Sequence, residues 1–225
     1  AGRQKVAFIQ NMTHQIRTPL NIIMGFAQVM RDSIRLLPED EVTTICTTMH
    51  RNAIKLNRMM LMLYDSSETG YVEEMKNLTY EAVPVNDAAR EGISSTQQFF
   101  PDLKVDLKTE VAESFCINTN RLYLVRCLRE ILFNSGKYAD DDTVKMHVRK
   151  TDGKVLFVFE DTGPGISEEY RDQMFTLFTK INDLTEGLGL GLPLTKRHAN
   201  CLGGNLLYDA SYTSGCRFIL EFPIA

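Results

Sequence analysis

The sequence predicts an α+β protein in which a helical hairpin is followed by an α/β sandwich domain. Two apolar seams with heptad spacing, at residues 9–37 and 42–63, predict the two helices of the hairpin. From about residue 79 the pattern changes to short strands and amphipathic helices, which predicts one antiparallel or mixed sheet with helices on one face. A polar stretch without periodicity separates the two patterns. We therefore predict domains at 1–67 and 79–225, joined by a linker at 68–78.

The composition limits the functional classes. Of the 225 residues, 44% are hydrophobic and 24% are charged, as in folded globular proteins. A net charge of −4 argues against general binding to nucleic acid or to an anionic membrane. The five cysteines include no C-x-x-C pair, which favours a reducing compartment over a disulfide framework or a zinc site. With no signal peptide and no apolar run near the roughly 18 residues of a membrane span, we expect a cytoplasmic location for this part of the protein.

The first seam predicts a long helix that carries an accessible histidine. Its positions are Ile9, Thr13, Ile16, Leu20, Ile23, Ala27, Met30, Ile34 and Leu37. His14 neighbours the one polar seam position, so we expect it at the edge of the seam. Thr18 follows it by one helical turn, and Pro19 predicts a bend beside it. We expect Pro38 to end this helix and Pro38-Glu39-Asp40 to form a short turn.

The second seam predicts the other helix of the hairpin. It comprises Val42, Cys46, Met49, Ala53, Leu56, Met60 and Leu63. A single hairpin buries too little surface to be stable alone, whereas two hairpins paired across a two-fold axis form a four-helix bundle. We therefore predict a homodimer; the alternative is a helical cap packed on the rest of the same chain.

The second domain is predicted element by element. Asn86 or Asp87 is expected to cap a helix that runs to about residue 99, and a second helix spans about 120–138. Asp152-Gly153 predicts a hairpin turn between two strands, and Gly203-Gly204 predicts the end of a third helix near Cys201. The predicted strands are 79–83, 103–108, 114–117, 144–149, 155–160, 205–208 and 217–222.

Two glycine-rich stretches suit a phosphate-binding role. Asp161-Thr-Gly-Pro-Gly165 follows a strand, and residues 187–192, Gly-Leu-Gly-Leu-Gly-Leu, open a helix. Glycines let backbone N–H groups approach a phosphate, and a helix N-terminus adds positive partial charge. The spacing fits neither a Rossmann fingerprint nor a P-loop, so ordinary turn chemistry remains the alternative. Asp161-Thr-Gly also mimics an aspartic-protease triplet, but the surrounding pattern is not all-β.

A stripe on the preceding helix suits a magnesium–phosphate pair. Glu130, Asn134 and Lys137 lie at spacings that share one helix face, and Mg²⁺ combines few protein oxygens with substrate phosphates. The alternative is a solvated face with a helix salt bridge.

Together these stretches resemble a bacterial-type sensor histidine kinase over nearly the whole chain. The resemblance rests on five boxes in the family's order: an H box at Phe8–Leu20, an N box at Glu130–Tyr138, a G1 box at Asp161–Ile166, an F box at Met174–Lys180 and a G2 box at Gly187–Leu192. It implies the fold of the histidine kinase and chaperone ATPases for the second domain, with ATP and Mg²⁺ as cofactors.

The resemblance also implies residue roles. His14 is the implied phosphoacceptor, Asn134 and Glu130 the magnesium ligands, Lys137 a phosphate contact and Tyr138 a lining residue of the adenine pocket. Asp161 is implied to accept a hydrogen bond from the adenine amino group. A mobile lid is implied between Ile166 and Glu186. The other implied nucleotide-binding residues are Gly163, Gly165, Ile166, Lys180, Gly187, Leu188, Gly189, Leu190, Gly191 and Leu192.

The implied function is ATP-dependent phosphorylation of His14, followed by transfer to an aspartate on the receiver domain of a response regulator. Thr18 occupies the position associated with dephosphorylation of that regulator. Two alternatives remain open: a degenerate kinase that acts as an ATP-binding scaffold, and a related ATPase.

One position beside the phosphoacceptor departs from the family pattern. The residue that follows the histidine is usually Glu or Asp, whereas this chain has Gln15. An amide oxygen can hold the imidazole N–H but cannot take up its proton near neutral pH. We therefore expect slow autophosphorylation.

Overall fold

The computed structural model of the chain describes residues 2–67, 72–73, 75–138, 143–177 and 189–224, with side chains described from residue 6 onward except that of Tyr138. The chain divides into two compact units, one built on the helical hairpin and one on the sheet domain, and each is described by itself. The predicted fold class is confirmed, because a hairpin of two long helices precedes an α/β sheet domain.

The hairpin consists of α1, Gly2–Ser33, and α2, Glu39–Ser66. The prediction that Pro38 ends the first helix is wrong, since α1 stops at Ser33 and Pro38 is instead the N-cap residue of α2. Its φ of −58° suits a helix start, and its carbonyl accepts a hydrogen bond from the Val42 amide at 3.0 Å. The predicted turn residues Glu39 and Asp40 belong to the first turn of α2, where acidic side chains are favourable for the helix dipole.

The predicted apolar seam is only partly covered within one hairpin. Half-buried seam residues alternate with exposed ones along both helices. The large exposed seam side chains are Ile9 (49% exposed), Leu20 (42%), Ile34 (50%) and Met60 (63%). One hairpin therefore leaves a row of apolar side chains on its surface. Within α1, Pro19 is buried and the helix continues through it; the predicted bend stays a prediction.

The sheet domain contains seven strands and four helices within its described residues. Their bounds are β1 Glu81–Pro84, α3 Val85–Gln97, β2 Lys104–Thr109, β3 Cys116–Thr119, α4 Arg121–Tyr138, β4 Thr143–Thr151, β5 Lys154–Glu160, α5 Glu168–Arg171, α6 Gly191–Cys201, β6 Asn205–Tyr208 and β7 Arg217–Pro223. Five strands form a mixed sheet in the order β2-β4-β5-β7-β6, in which only β2 and β4 are parallel. β1 and β3 form a separate antiparallel pair.

The core lies between the sheet and the helices on one of its faces. Alternate strand residues are fully buried on this inner face, and α4 contributes a matching apolar stripe. The largest buried side chains are Phe157, Phe159, Phe218, Phe222, Met146, Leu206, Leu124, Leu128, Ile131 and Leu132. Burying each such side chain contributes about 1.5–3 kcal/mol, so this layer fixes the positions of α4, β5 and β7.

Several local predictions are confirmed and several shift. Gly153, with φ +72°, turns β4 into β5, and paired backbone hydrogen bonds from Gly203 and Gly204 end α6. The predicted Asn86 or Asp87 cap is wrong: α3 begins after Pro84 without a side-chain cap. Asn86 is instead buried and donates a hydrogen bond to the Val111 carbonyl, which ties α3 to the chain between β2 and β3. The strands predicted at 79–83, 103–108 and 114–117 each begin one or two residues later.

Candidate nucleotide and phosphoacceptor sites

Asp161 is fixed at the end of β5, in the turn that the sequence singled out. It is 3% exposed, and its Oδ1 accepts hydrogen bonds from the Gly163 amide at 3.0 Å and the Cys216 amide at 3.1 Å. Its own amide donates to the Cys216 carbonyl at 3.0 Å, which extends the β5–β7 pairing by one residue. Both hydrogen bonds that the carboxylate accepts within the described residues end on Oδ1. Oδ2 is therefore the oxygen that can accept a hydrogen bond from the amino group of a ligand.

The turn is packed against β7 so closely that two positions require glycine. A Cβ on Gly215 would lie 1.9 Å from the Asp161 carbonyl oxygen, far inside van der Waals contact. Gly165 has φ +73°, and a Cβ there would meet the Gly215 carbonyl oxygen at 3.3 Å. The backbones of the two segments thus touch directly, and this contact fixes the position of Asp161.

The thiol beside Asp161 is neutral. Burial, together with the negative charge of Asp161, raises the pKa of Cys216 to about 12. A protonated thiol adds no second negative charge beside the Asp161 carboxylate.

The stripe on α4 places a carboxylate and an amide one turn apart. Glu130 is buried, with Oε1 3.5 Å from the Arg129 guanidinium, whereas Asn134 is half-buried. The amide of Asn134 makes no hydrogen bond within the described residues, so its oxygen is available. Lys137 lies one turn further, with Nζ 5.9 Å from the centre of the Phe133 ring. The side chain of Tyr138 falls outside the described residues.

The side-chain oxygens of Asn134 and Glu130 suit Mg²⁺ only if a bound nucleotide supplies further ligands. The described part of the chain holds no group of three or more His, Cys, Asp or Glu residues suited to a metal ion. Mg²⁺ commonly takes one or two protein oxygens and completes its shell with phosphates and water. Asn134, with Glu130 beside it, matches that requirement.

The second glycine stretch leads into α6, whose N-terminus is a favourable place for phosphate. Gly189 has φ +70°, Leu190 is fully buried, and α6 begins at Gly191. Leu192 packs against the core from the first turn. The predicted contacts Lys180, Gly187 and Leu188 lie outside the described residues, as does the part of the predicted lid from residue 178 to Glu186.

The histidine is exposed on α1, as its place beside the seam predicted. Thr18, also exposed, donates a hydrogen bond from its hydroxyl to the His14 carbonyl at 3.3 Å. The hydroxyl therefore lies one turn from the histidine but bonds to its backbone. Gln15 is half-buried beside it.

We call residues 161–166 the nucleotide turn. Sequence reasoning missed four residues that contact it: Gly215, Cys216, Arg171 and Tyr208. The amide of Ile166, at the end of the turn, donates to the Tyr208 hydroxyl at 3.4 Å, and Arg171 Nε donates to the Ile166 carbonyl at 3.1 Å. Gly215, just before a predicted strand, was a usable signal. The partners of the other three depend on strand register, which the sequence does not display.

Two family models match the chain. Residues 4–68 match the His Kinase A (phospho-acceptor) domain, and residues 119–225 match the Histidine kinase-, DNA gyrase B-, and HSP90-like ATPase domain. Together the two matches cover about three quarters of the chain, in the order that histidine kinases require. The chain belongs to the sensor histidine kinases. The second match also implies that this kinase chain contains an ATP-binding domain.

Curated relatives of this histidine kinase are similar along almost its entire length. The aerobic respiration control sensor protein ArcB of Escherichia coli (strain K12) is 26% identical over 230 residues, which cover 98% of this chain and 29% of ArcB. The autoinducer 2 sensor kinase/phosphatase LuxQ of Vibrio harveyi is 25% identical over 238 residues, which cover all of this chain and 27% of LuxQ. The chain thus spans less than a third of these relatives.

Solved structures show the same fold. The histidine kinase AdeS of Acinetobacter baumannii has a TM-score of 0.64 at 18% identity, covering 94% of this chain and 98% of that one. Full-length ShkA in complex with AMPPNP has a TM-score of 0.62 at 21% identity, covering 96% and 46%. Among the helices that are described here, none is long and apolar enough to cross a membrane.

Proposed function

We propose that this chain is an ATP-dependent protein-histidine kinase that phosphorylates its own His14. The observation that carries the proposal is the pairing of an exposed histidine on a phospho-acceptor hairpin with a prearranged nucleotide turn in the same chain. The working parts are the hairpin domain at 1–67, the linker at 68–78 and the catalytic domain at 79–225. ATP as donor supports a cytoplasmic site of reaction.

Adenine recognition is assigned to Asp161. A carboxylate whose Oδ1 is held by two backbone amides keeps Oδ2 in one place, and that oxygen accepts a hydrogen bond from the adenine amino group. Guanine presents a carbonyl at the equivalent position of its ring, and two acceptors would repel. Gly163, Gly165 and Ile166, in the same turn, are proposed as further contacts of the nucleotide.

Phosphate binding is assigned to the glycine-rich start of α6 and to the stripe on α4. Gly189, Leu190, Gly191 and Leu192 bring backbone amides and the helix N-terminus toward the phosphates, with Gly187, Leu188 and Lys180 proposed as further contacts. Asn134 and Glu130 would hold Mg²⁺, which supplies neutralisation of phosphate charge. Lys137 contributes a further cation, and Tyr138 is proposed to line the adenine pocket.

The transfer step needs only a positioned nucleophile. One ring nitrogen of His14 bonds to the γ-phosphorus, the bond from that phosphorus to the β–γ bridging oxygen breaks, and ADP leaves with the electron pair. In its neutral form the imidazole carries a free lone pair on one ring nitrogen. The amide oxygen of Gln15 can orient the other ring nitrogen, whose proton finally passes to solvent.

The phosphoryl group is then proposed to move to an aspartate on the receiver domain of a response regulator. Exposure of His14 supports this step, since a second protein must reach it. Thr18 is proposed to orient water for dephosphorylation of that regulator. The name of one relative, a sensor kinase/phosphatase, agrees with a dual role.

A homodimer is proposed to cover the apolar seam. Ile9, Leu20, Ile34 and Met60 remain 42–63% exposed on one hairpin, although all lie on the heptad pattern. A second hairpin related by a two-fold axis would bury this row and form a four-helix bundle. The hairpin match to the phospho-acceptor domain supports the same assembly.

Incubation with γ-labelled ATP tests the proposed kinase. We expect acid-labile label on the protein, its loss in His14→Ala, and its retention in the matched control His50→Ala, because His50 is an exposed histidine on α2. Bound ATP without label would favour the degenerate scaffold. Free phosphate without label on the protein would favour the related ATPase.

A further inference from the structure

The nucleotide turn is held at its far end by two side chains that none of the family boxes explains. Arg171, on α5, donates from Nε to the Ile166 carbonyl at 3.1 Å, and the Tyr208 hydroxyl, on β6, accepts from the Ile166 amide at 3.4 Å. The Arg171 guanidinium also lies 5.8 Å from the centre of the Tyr208 ring, within the range of a cation–π contact. Both backbone groups of Ile166 are therefore held by two side chains that also contact each other.

The near end of the same turn is held by contacts with the backbone of residues 215 and 216, just before β7. Asp161 pairs with Cys216, and Gly165 packs on Gly215, so the first five residues of the turn rest on the start of β7. Among the described residues, Ile166 makes no backbone hydrogen bond to residues 215 and 216. Ile166 connects the part of the turn that packs beside β7 to α5. The position of Ile166 therefore decides where the turn ends.

We propose that Arg171 and Tyr208 are positioning residues that clamp Ile166 and so keep the adenine-binding turn in its binding conformation. The proposal rests on the assignment of this turn to ATP. The clamp acts through the backbone, since a turn fixed at only one end can rotate Gly163 away from Asp161 and release the Oδ1 hydrogen bond. Tyr208 is itself braced by the Phe218 ring, 5.3 Å away between centres, so the clamp is anchored in the core.

Direct ATP binding to the full chain tests the clamp. Arg171→Ala should weaken ATP binding about tenfold, as expected for one hydrogen bond from a charged donor. Tyr208→Phe removes a neutral hydroxyl and should weaken binding about threefold. In the double variant the loss should fall short of the product of the two, because both side chains act on Ile166. At saturating ATP the rate of His14 phosphorylation should stay within about twofold of the unaltered chain, since a positioning role affects KM more than kcat.

Two variants separate positioning from general stability. Arg171→Lys keeps a cationic donor and should restore most of the affinity. Arg90→Ala is the matched control, because Arg90 is an exposed arginine of the same domain whose ion pairs, with Asp87 and Glu113, lie on α3 and before β3. Its loss should leave ATP affinity unchanged.

Unchanged affinity in Arg171→Ala, or an equal loss in Arg90→Ala, overturns the clamp while leaving the proposed kinase intact. Failure of the unaltered chain to bind ATP overturns the proposed function and the clamp together.

Discussion

The phosphoacceptor helix α1 and the nucleotide turn differ in exposure and in how firmly their functional side chains are held. His14 and Thr18 are exposed on α1, and the one described hydrogen bond between them runs from the Thr18 hydroxyl to the His14 backbone carbonyl. Asp161 is 3% exposed and is tied to two backbone amides. A phosphoryl carrier must be reached first by ATP and then by another protein, so it gains from exposure. A base-recognition site gains from rigidity, because any rotation of the acceptor oxygen weakens its hydrogen bond.

The largest effect is expected from adding one methyl group to Gly215, in the segment that supports the nucleotide turn. In Gly215→Ala the new Cβ would lie 1.9 Å from the Asp161 carbonyl oxygen, at a φ of +153° that side chains rarely adopt. Backbone must move, so we expect a loss of about 3 kcal/mol or more in the free energy of unfolding of the sheet domain. Asp161 would move with it, and ATP binding should become undetectable in a calorimetric titration.

Gly25→Ala is the matched control on the hairpin. No atom of the described residues lies within 4 Å of the position where its Cβ would be added, and Gly25 is inside α1. Alanine there should raise the stability of the helix by up to about 1 kcal/mol and leave ATP affinity unchanged. Equal ATP affinities for Gly215→Ala and the unaltered chain would contradict a nucleotide turn built on that contact.

The sheet domain also contains a buried histidine whose protonation affects stability. His198, on α6, is 3% exposed and packs edge-on against Tyr123 of α4 at 4.9 Å between ring centres. Burial lowers its pKa to about 4; Arg126 and Arg197 lower it further, whereas Glu130 opposes the shift. The unfolded chain binds a proton at this residue near pH 6.5, while the folded chain does not until about pH 4. The folded state therefore loses stability as the pH falls through this window, by about 3 kcal/mol at most.

Urea unfolding of the full chain at several pH values between 7.5 and 4.5 measures this effect. In His198→Gln the free energy of unfolding should fall less steeply with decreasing pH, whatever its value at pH 7.5. His147→Gln is the control, since His147 is partly exposed and lies 3.0 Å from Glu110 at the surface. An identical slope in His198→Gln and the unaltered chain would refute the assignment.

Much of the fold was visible in the sequence because its signals are local. The heptad spacing predicted α1 and α2, the Asp152-Gly153 pair predicted the β4–β5 turn, and Gly203-Gly204 predicted the end of α6. The errors share a cause. Pro38 and Asn86 were assigned from single-residue preferences, whereas the structure uses Pro38 to start a helix and Asn86 to bridge α3 to Val111. A tertiary contact decided the role of Asn86, and the local geometry of a helix start decided that of Pro38.

For the nucleotide turn, the sequence predicted the residues within the turn but not the distant residues that contact it. Asp161, Gly163 and Gly165 are adjacent in the chain, so their pattern was readable. Cys216 and Tyr208 reach the turn only through the order β5-β7-β6, which brings residues more than 40 positions away beside it. Arg171 follows the turn closely but sits on a four-residue helix that no periodicity marks.

Giving α1 a titratable acceptor beside its histidine would narrow the difference between the two regions. In Gln15→Glu a carboxylate replaces the amide at a half-buried position, and it can take up the imidazole proton as the new nitrogen–phosphorus bond forms. General-base assistance is worth about 10²–10⁴-fold, and we expect the lower end, about 10²-fold, in the initial rate of label incorporation at saturating ATP. ATP affinity should not change, because residue 15 belongs to the hairpin domain. Gln28→Glu, an equal charge change at an exposed position more than three turns further along α1, should leave the rate unaltered. A rate in Gln15→Glu at or below that of the unaltered chain would show that a hydrogen-bonded amide already suffices at this step, and that proton removal does not limit phosphorylation of His14.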